Sequence, residues 1–128
     1  MDKTNRFPLT LCMEMRVIKK SESLLCPASI GKEEHVAYIE VLSAADTPGY
    51  EEYFREIAHE WKKLGGIPHW QKQWAFLDDK FCDGKKVGIF KHIQDMYGDN
   101  LTKFNDVRKK YDPSCVFMNK TMERLFCN

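Results

Sequence analysis

No apolar run in this sequence approaches the ~20 residues that a bilayer-spanning helix needs, and no basic run is interleaved with aromatics. The formal net charge is only +1, which removes the electrostatic case for nucleic acid or an anionic membrane as a partner. The cysteines at 12, 26, 82, 115 and 127 are odd in number, form no Cys-x-x-Cys and match no zinc spacing. Free, buried thiols in a reducing compartment are therefore expected, and no metal site. Internal repeats and low-complexity runs are absent. Residues 1–8 are polar and charged, without the apolar core of a signal peptide. The expectation is a soluble intracellular chain, cytoplasmic or peripherally associated with a membrane, with no transmembrane segment.

What is present suffices for one domain spanning residues 1–128, a length below that at which chains divide. Hydrophobic residues make up 43%, enough for a core that buries about two-thirds of the unfolded surface. Leu9 to Ile18 alternates, with Leu9, Leu11, Met13, Met15 and Val17 on one side and Thr10, Cys12, Glu14 and Arg16 on the other. That pattern predicts a half-buried strand with a carboxylate and a guanidinium adjacent on its polar face. Lys19 to Glu34 reads as a loop with one short strand near Leu24 to Cys26, and His35 to Ser43 as a second strand. Thr47-Pro48 has the form of an N-cap followed by proline at the first helical position. After it, Tyr50, Tyr53, Phe54, Ile57, Ala58, Trp61 and Leu64 make an apolar stripe that ends at Gly65, a left-handed cap. Further helices are expected over Val87 to Tyr97 and Asn100 to Tyr111, and a last short one capped by Asn119. His35 and His59 are read as surface residues. Strands and helices together give an α+β class, an antiparallel sheet with helices packed on one side.

Chemistry concentrates in Gly65 to Trp74, Gly-Gly-Ile-Pro-His-Trp-Gln-Lys-Gln-Trp. Pro68 forces extended backbone on Ile67. An imidazole, an ammonium and two indoles follow at once. Imidazole and ammonium pKa values are readily tuned for proton transfer or anion binding, and indoles exclude water or stack on flat rings. A turn followed by an ordinary buried strand fits the spacing equally well.

The segment resembles the Pro-His-Trp-x-Lys motif of the sugar-1,4-lactone oxidases. These are flavoenzymes of the vanillyl-alcohol-oxidase type that include gulonolactone, arabinonolactone and galactonolactone oxidases and the related alditol oxidases. Met13-Glu14-Met15-Arg16-Val17 resembles the family's Glu-x-Arg strand, and Leu25-Cys26-Pro27 its Leu-Ser-Pro turn. Phe104 to Pro113 and Val116 to Asn119 resemble its closing segment. Ile67 in place of an Arg, Gln71 in place of a small residue and a longer stretch after the motif depart from the pattern.

The resemblance implies the cap, or substrate domain, of such an enzyme. Glu14, Arg16, His69 and Lys72 would be its catalytic residues, converging on one concave surface, and Trp70 and His69 would lie against FAD. The flavin would come from a partner chain, because neither a histidine-bearing segment for covalent flavin nor a glycine-rich pyrophosphate-binding stretch is present. The implied function is the substrate-side part of an aldono-1,4-lactone oxidoreductase making an ascorbate-type product from gulonolactone or arabinonolactone, inactive alone. The alternative is a remnant cap reused as a non-catalytic module binding a sugar lactone, a polyol or another protein. A flavin-bearing chain or a second copy is expected to cover the polar face, leaving Trp70 or Trp74, with Tyr38 near them, otherwise in water.

Overall fold

The computed structural model describes residues 8–74, 77 and 88–126. Two strands, β1 (Met13–Lys19) and β2 (His35–Val41), pair antiparallel, and four helices follow: α1 (Tyr50–Lys63), α2 (Ile89–Tyr97), α3 (Asp99–Tyr111) and α4 (Lys120–Phe126). The class is α+β. The chain separates into two compact units, one of residues 1–20 and 33–66, the other of residues 21–32 and 67–128.

In the first unit, Met13 pairs with Val41, Met15 with Ile39 and Val17 with Ala37, while Glu14 pairs with Glu40 and Arg16 with Tyr38. Residues directly opposite share a face, so one side of the ribbon is apolar and the other carries the charges. The Leu42 N–H donates to the Cys12 carbonyl, and the Lys20 N–H to the Glu34 carbonyl, each at 2.8 Å. These bonds set the phase of the ladder. Even-numbered β1 residues exchange hydrogen bonds with β2, and odd-numbered ones turn their N–H and C=O to the outer edge.

The expected half-burial of β1 is corrected: every one of its residues is exposed, with Met15 at 68%. Alternation creates an apolar face but supplies nothing to cover it. On β2 the burial runs the other way, since Val36, Tyr38 and Glu40 are half-buried whereas Ala37 and Ile39 are exposed.

Helix α1 begins two residues later than the Thr47-Pro48 signal predicts, with left-handed Gly49 before it. The Thr47 hydroxyl cannot cap it, being committed to the Ala44 carbonyl at 2.7 Å and lying 3.0 Å from the Ser43 hydroxyl. The far end behaves as expected. Gly65 adopts φ +82°, its N–H donates to the Lys62 carbonyl, and the Gly66 N–H reaches the Trp61 carbonyl at 2.8 Å. This pair of bonds satisfies carbonyls that a helix end would leave open.

The second unit is built on Ile89, Ile93 and Tyr97 from α2, Leu101 from α3 and Leu125 from α4, all buried. Each aliphatic side chain so enclosed contributes about 1.5–3 kcal/mol. Asn119 caps α4 as expected, its Oδ1 accepting the Met122 N–H at 3.0 Å. Asp112, before Pro113, is buried and accepts from the Val116 and Phe117 N–H groups at 2.8 and 3.1 Å. In place of the strand expected near Leu24 to Cys26, the chain makes a 3₁₀ turn over Pro27–Ser29. Val87 and the stretch from 78 to 87 lie outside the described residues. No helix among the described residues is long and apolar enough to cross a membrane.

Candidate functional site

On the charged face of the ribbon, strand alternation puts Glu14 and Arg16 on the same side, two residues apart. The Arg16 guanidinium donates to Glu14 Oε2 at 3.0 Å, and the Glu40 carboxylate stands 4.0 Å away across the ladder. Its pKa is raised above the ordinary arginine value by the hydrogen bond to Glu14 and by the negative charges of Glu14 and Glu40. Arg16 thus stays cationic and solvent-facing at any working pH, between two carboxylates. Tyr38 lies directly opposite it.

Tyr50, from the start of α1, donates its hydroxyl to the Val41 carbonyl at 3.0 Å. Burial, and then the charge of Glu40, push its phenol pKa upward. The resulting surface offers one fixed cation, two carboxylates and a phenol. In such a set carboxylates can accept from hydroxyls, and a guanidinium can donate to a carbonyl or an oxyanion. Glu40 was not singled out from the sequence. Its signal was available in the alternation of Val36, Tyr38 and Glu40, but only the register shows that this side of β2 meets Glu14 and Arg16.

The second unit holds the other motif. Ile67 and Pro68, both half-buried, lead to His69 and Lys72, both exposed and joined by the Lys72 N–H donating to the His69 carbonyl at 3.1 Å. The imidazole Nδ1 accepts the Gln71 N–H at 3.2 Å, which orients the ring. Trp70 turns inward instead. Its indole N–H donates to the Leu25 carbonyl at 2.7 Å, and the Tyr97 hydroxyl donates to the same oxygen at 3.2 Å. A row of rings continues from Tyr97 through Trp70 and Trp74 to Phe90, with the Arg124 guanidinium 3.8 Å above the last. Trp74 is 7% exposed and Trp70 half-buried. The expectation that Trp70 or Trp74 would lie in water unless another chain covered the polar face is therefore corrected, because the indoles pack within this unit.

The structure thus brings Glu14 to Arg16 within the first unit, and His69 to Lys72 within the second; the two pairs belong to different units. Cys12 and Cys115 are free but exposed, not buried as expected, and Cys26 is free and half-buried. Among the described residues no three His, Cys, Asp or Glu side chains gather to hold a metal.

A pyrophosphate seeks a helix N-terminus free of negative charge; the first turns of α1, α3 and α4 carry Glu51 and Glu52, Asp99 and Glu123 respectively, and that of α2 carries no acidic residue. Of the pair that the resemblance sets against FAD, His69 is exposed, and Trp70 has its N–H already engaged.

A family model described as D-arabinono-1,4-lactone oxidase matches residues 1–125. The D-arabinono-1,4-lactone oxidase of Yarrowia lipolytica is 33% identical over 73 residues, covering 52% of this chain and 14% of its own length. Its counterparts from Eremothecium gossypii and Kluyveromyces lactis are each 32% identical over 78 residues, covering 47% of this chain and 15% of theirs. No solved structure matches. This chain therefore spans about a seventh of the relatives it resembles, and nearly all of it lies within the matched region: it belongs to the D-arabinono-1,4-lactone oxidase family.

Proposed function

We propose that the chain is the substrate-side portion of a flavin-dependent aldono-1,4-lactone oxidoreductase, acting on arabinonolactone or gulonolactone with FAD held by a partner chain. The observation that carries this reading is Arg16 between Glu14 and Glu40 on one face of the ribbon, within the segment that matches the family. Arg16 would hold the lactone carbonyl, or the oxyanion of an ascorbate-type product, and Glu14 and Glu40 would accept from ring hydroxyls. In the second unit, His69 and Lys72 would serve as the exposed acid–base and anion-binding pair, with Trp70 and Tyr97 fixing their turn to Leu25. Hydride acceptance is chemistry that a flavin would supply when bound; the residues here bind and orient.

A second reading, a cap kept as a non-catalytic binding module, is favoured by the acidic first turns of α1, α3 and α4.

Titration with D-arabinono-1,4-lactone, alone and with a separately expressed flavin-bearing portion of the Yarrowia lipolytica relative, tests both. The first reading expects lactone-dependent flavin bleaching only in the mixture, lost with Arg16→Ala. Lactone binding without any bleaching in the mixture would favour the module. A mixture in which neither binding nor bleaching is seen would overturn the lactone reading.

A further inference from the structure

The outer edge of β1 carries the unpaired N–H and C=O groups of Met13, Met15, Val17 and Lys19, and no described residue hydrogen-bonds to them. Such an edge is a template for another strand, and natural edges are usually blunted by proline, a bulge or a central lysine. β1 has no proline or bulge and its one lysine is at the end, so the charges that could blunt it are Glu14 and Arg16, one of each sign, in Met-Glu-Met-Arg-Val-Ile-Lys. A two-stranded ribbon is marginal in water, and added strands stabilise it. The opposite edge, on β2, is partly taken, since the Tyr50 hydroxyl occupies the outward Val41 carbonyl.

The charges on β1 select the occupant. Antiparallel pairing of β1 with a second copy must match odd residues with odd residues, because only these direct their backbone groups outward. Setting Met15 opposite Met15 places Glu14 of each copy opposite Arg16 of the other, and Met13 opposite Val17. Shifting by one step in either direction places Arg16 against Arg16 or Glu14 against Glu14, and like charges directly opposite are destabilising. Glu14 and Arg16 would fall at non-hydrogen-bonded positions, where side chains approach closest. The same register continues the apolar face across the join: Ile39, Met15, Met15 and Ile39 form one row, and Val41, Met13, Val17 and Ala37 the next.

We propose that β1 pairs with β1 of a second copy about a two-fold axis at Met15, making a four-stranded antiparallel sheet. The contact is isologous and closed. It runs along the edge of β1 and engages Glu14 and Arg16 across the join, and the inference does not rest on the lactone reading.

Charge reversal tests it. Sedimentation should show a dimer for the native chain, and at least tenfold weaker association for Arg16→Glu and for Glu14→Arg. The double variant Glu14→Arg/Arg16→Glu should associate with itself again but not with the native chain, which a general loss of folding could not produce. Met15→Cys should form an intermolecular disulfide on mild oxidation, its Cα atoms being about 5.5 Å apart at a hydrogen-bonded pair, whereas Met13→Cys should not cross-link to itself. A native chain that stays monomeric at high concentration, or a dimer indifferent to both reversals, would overturn the proposal. So would pairing of this edge only with a flavin-bearing chain.

Discussion

The indole N–H of Trp70 donates to the carbonyl of Leu25, 45 residues earlier, at 2.7 Å. Two separate stretches that resemble one enzyme family, Leu25-Cys26-Pro27 and Pro68 to Lys72, are thereby tied to one oxygen, which also accepts from Tyr97. The motif tryptophan acts as a structural anchor within its own unit, and it holds the backbone from which His69 and Lys72 project.

Trp70→Phe keeps a ring beside Tyr97 but removes the donor. A loss of about 1 kcal/mol is expected, the worth of a typical hydrogen bond, because Tyr97 still satisfies the Leu25 carbonyl. The double variant Trp70→Phe/Tyr97→Phe should lose more than the two single variants together, since it alone leaves that half-buried oxygen without a donor. Urea unfolding of the four proteins forms the cycle, and strict additivity would count against the shared anchor.

The two glycines after α1 should differ in cost for separate reasons. Gly65→Ala meets a left-handed backbone at φ +82° and should lose about 1 kcal/mol. At Gly66 an added Cβ would come within 2.8 Å of the Trp61 carbonyl oxygen, a backbone atom that can yield only if the helix end opens. Thermal unfolding should therefore place Gly66→Ala below Gly65→Ala, with a cost of about 1–3 kcal/mol as for other overpacked sites.

Asp112→Ala should destabilise the second unit by about 1–3 kcal/mol, because the Val116 and Phe117 N–H groups lose their acceptor. Asp112→Asn keeps one acceptor oxygen and should recover part of the loss. Amide hydrogen exchange at Val116 and Phe117 locates the effect: faster exchange there, with α2 unchanged, is the expected pattern.

Tyr50 sets an alkaline limit on stability. Its phenol pKa is raised in the folded chain, first by burial and then by Glu40. Its contribution is therefore fully present below the ordinary value of 10.0 and is lost as pH rises through the higher folded value. The phenolate also cannot donate to the Val41 carbonyl. Tyr50→Phe should be less stable than the native chain at pH 7 by about 1 kcal/mol, and the gap should close above about pH 10. Urea unfolding across that range checks the sign.

Local chemistry was legible in the residues themselves. The Gly65 cap, the Asn119 cap and the α1 stripe from Tyr50 to Trp61 depend on neighbours within a few positions, and the structure has them, whereas Leu64, expected on the same stripe, is 85% exposed. The adjacency of Glu14 and Arg16, which any strand produces, is local in the same way. Long-range facts were not legible, because a pattern states which side of an element is apolar but not what lies against it. The alternation of β1 predicted burial, and the strand is exposed on both sides. Thr47 had the form of a cap, and its hydroxyl went to Ala44. The two indoles after Pro68 read as groups that exclude water or stack on a flat ring, and they pack around Leu25, Tyr97 and Phe90. Glu40 joined Arg16 only through the register, since cross-strand pairing is a relation between two segments that neither encodes alone.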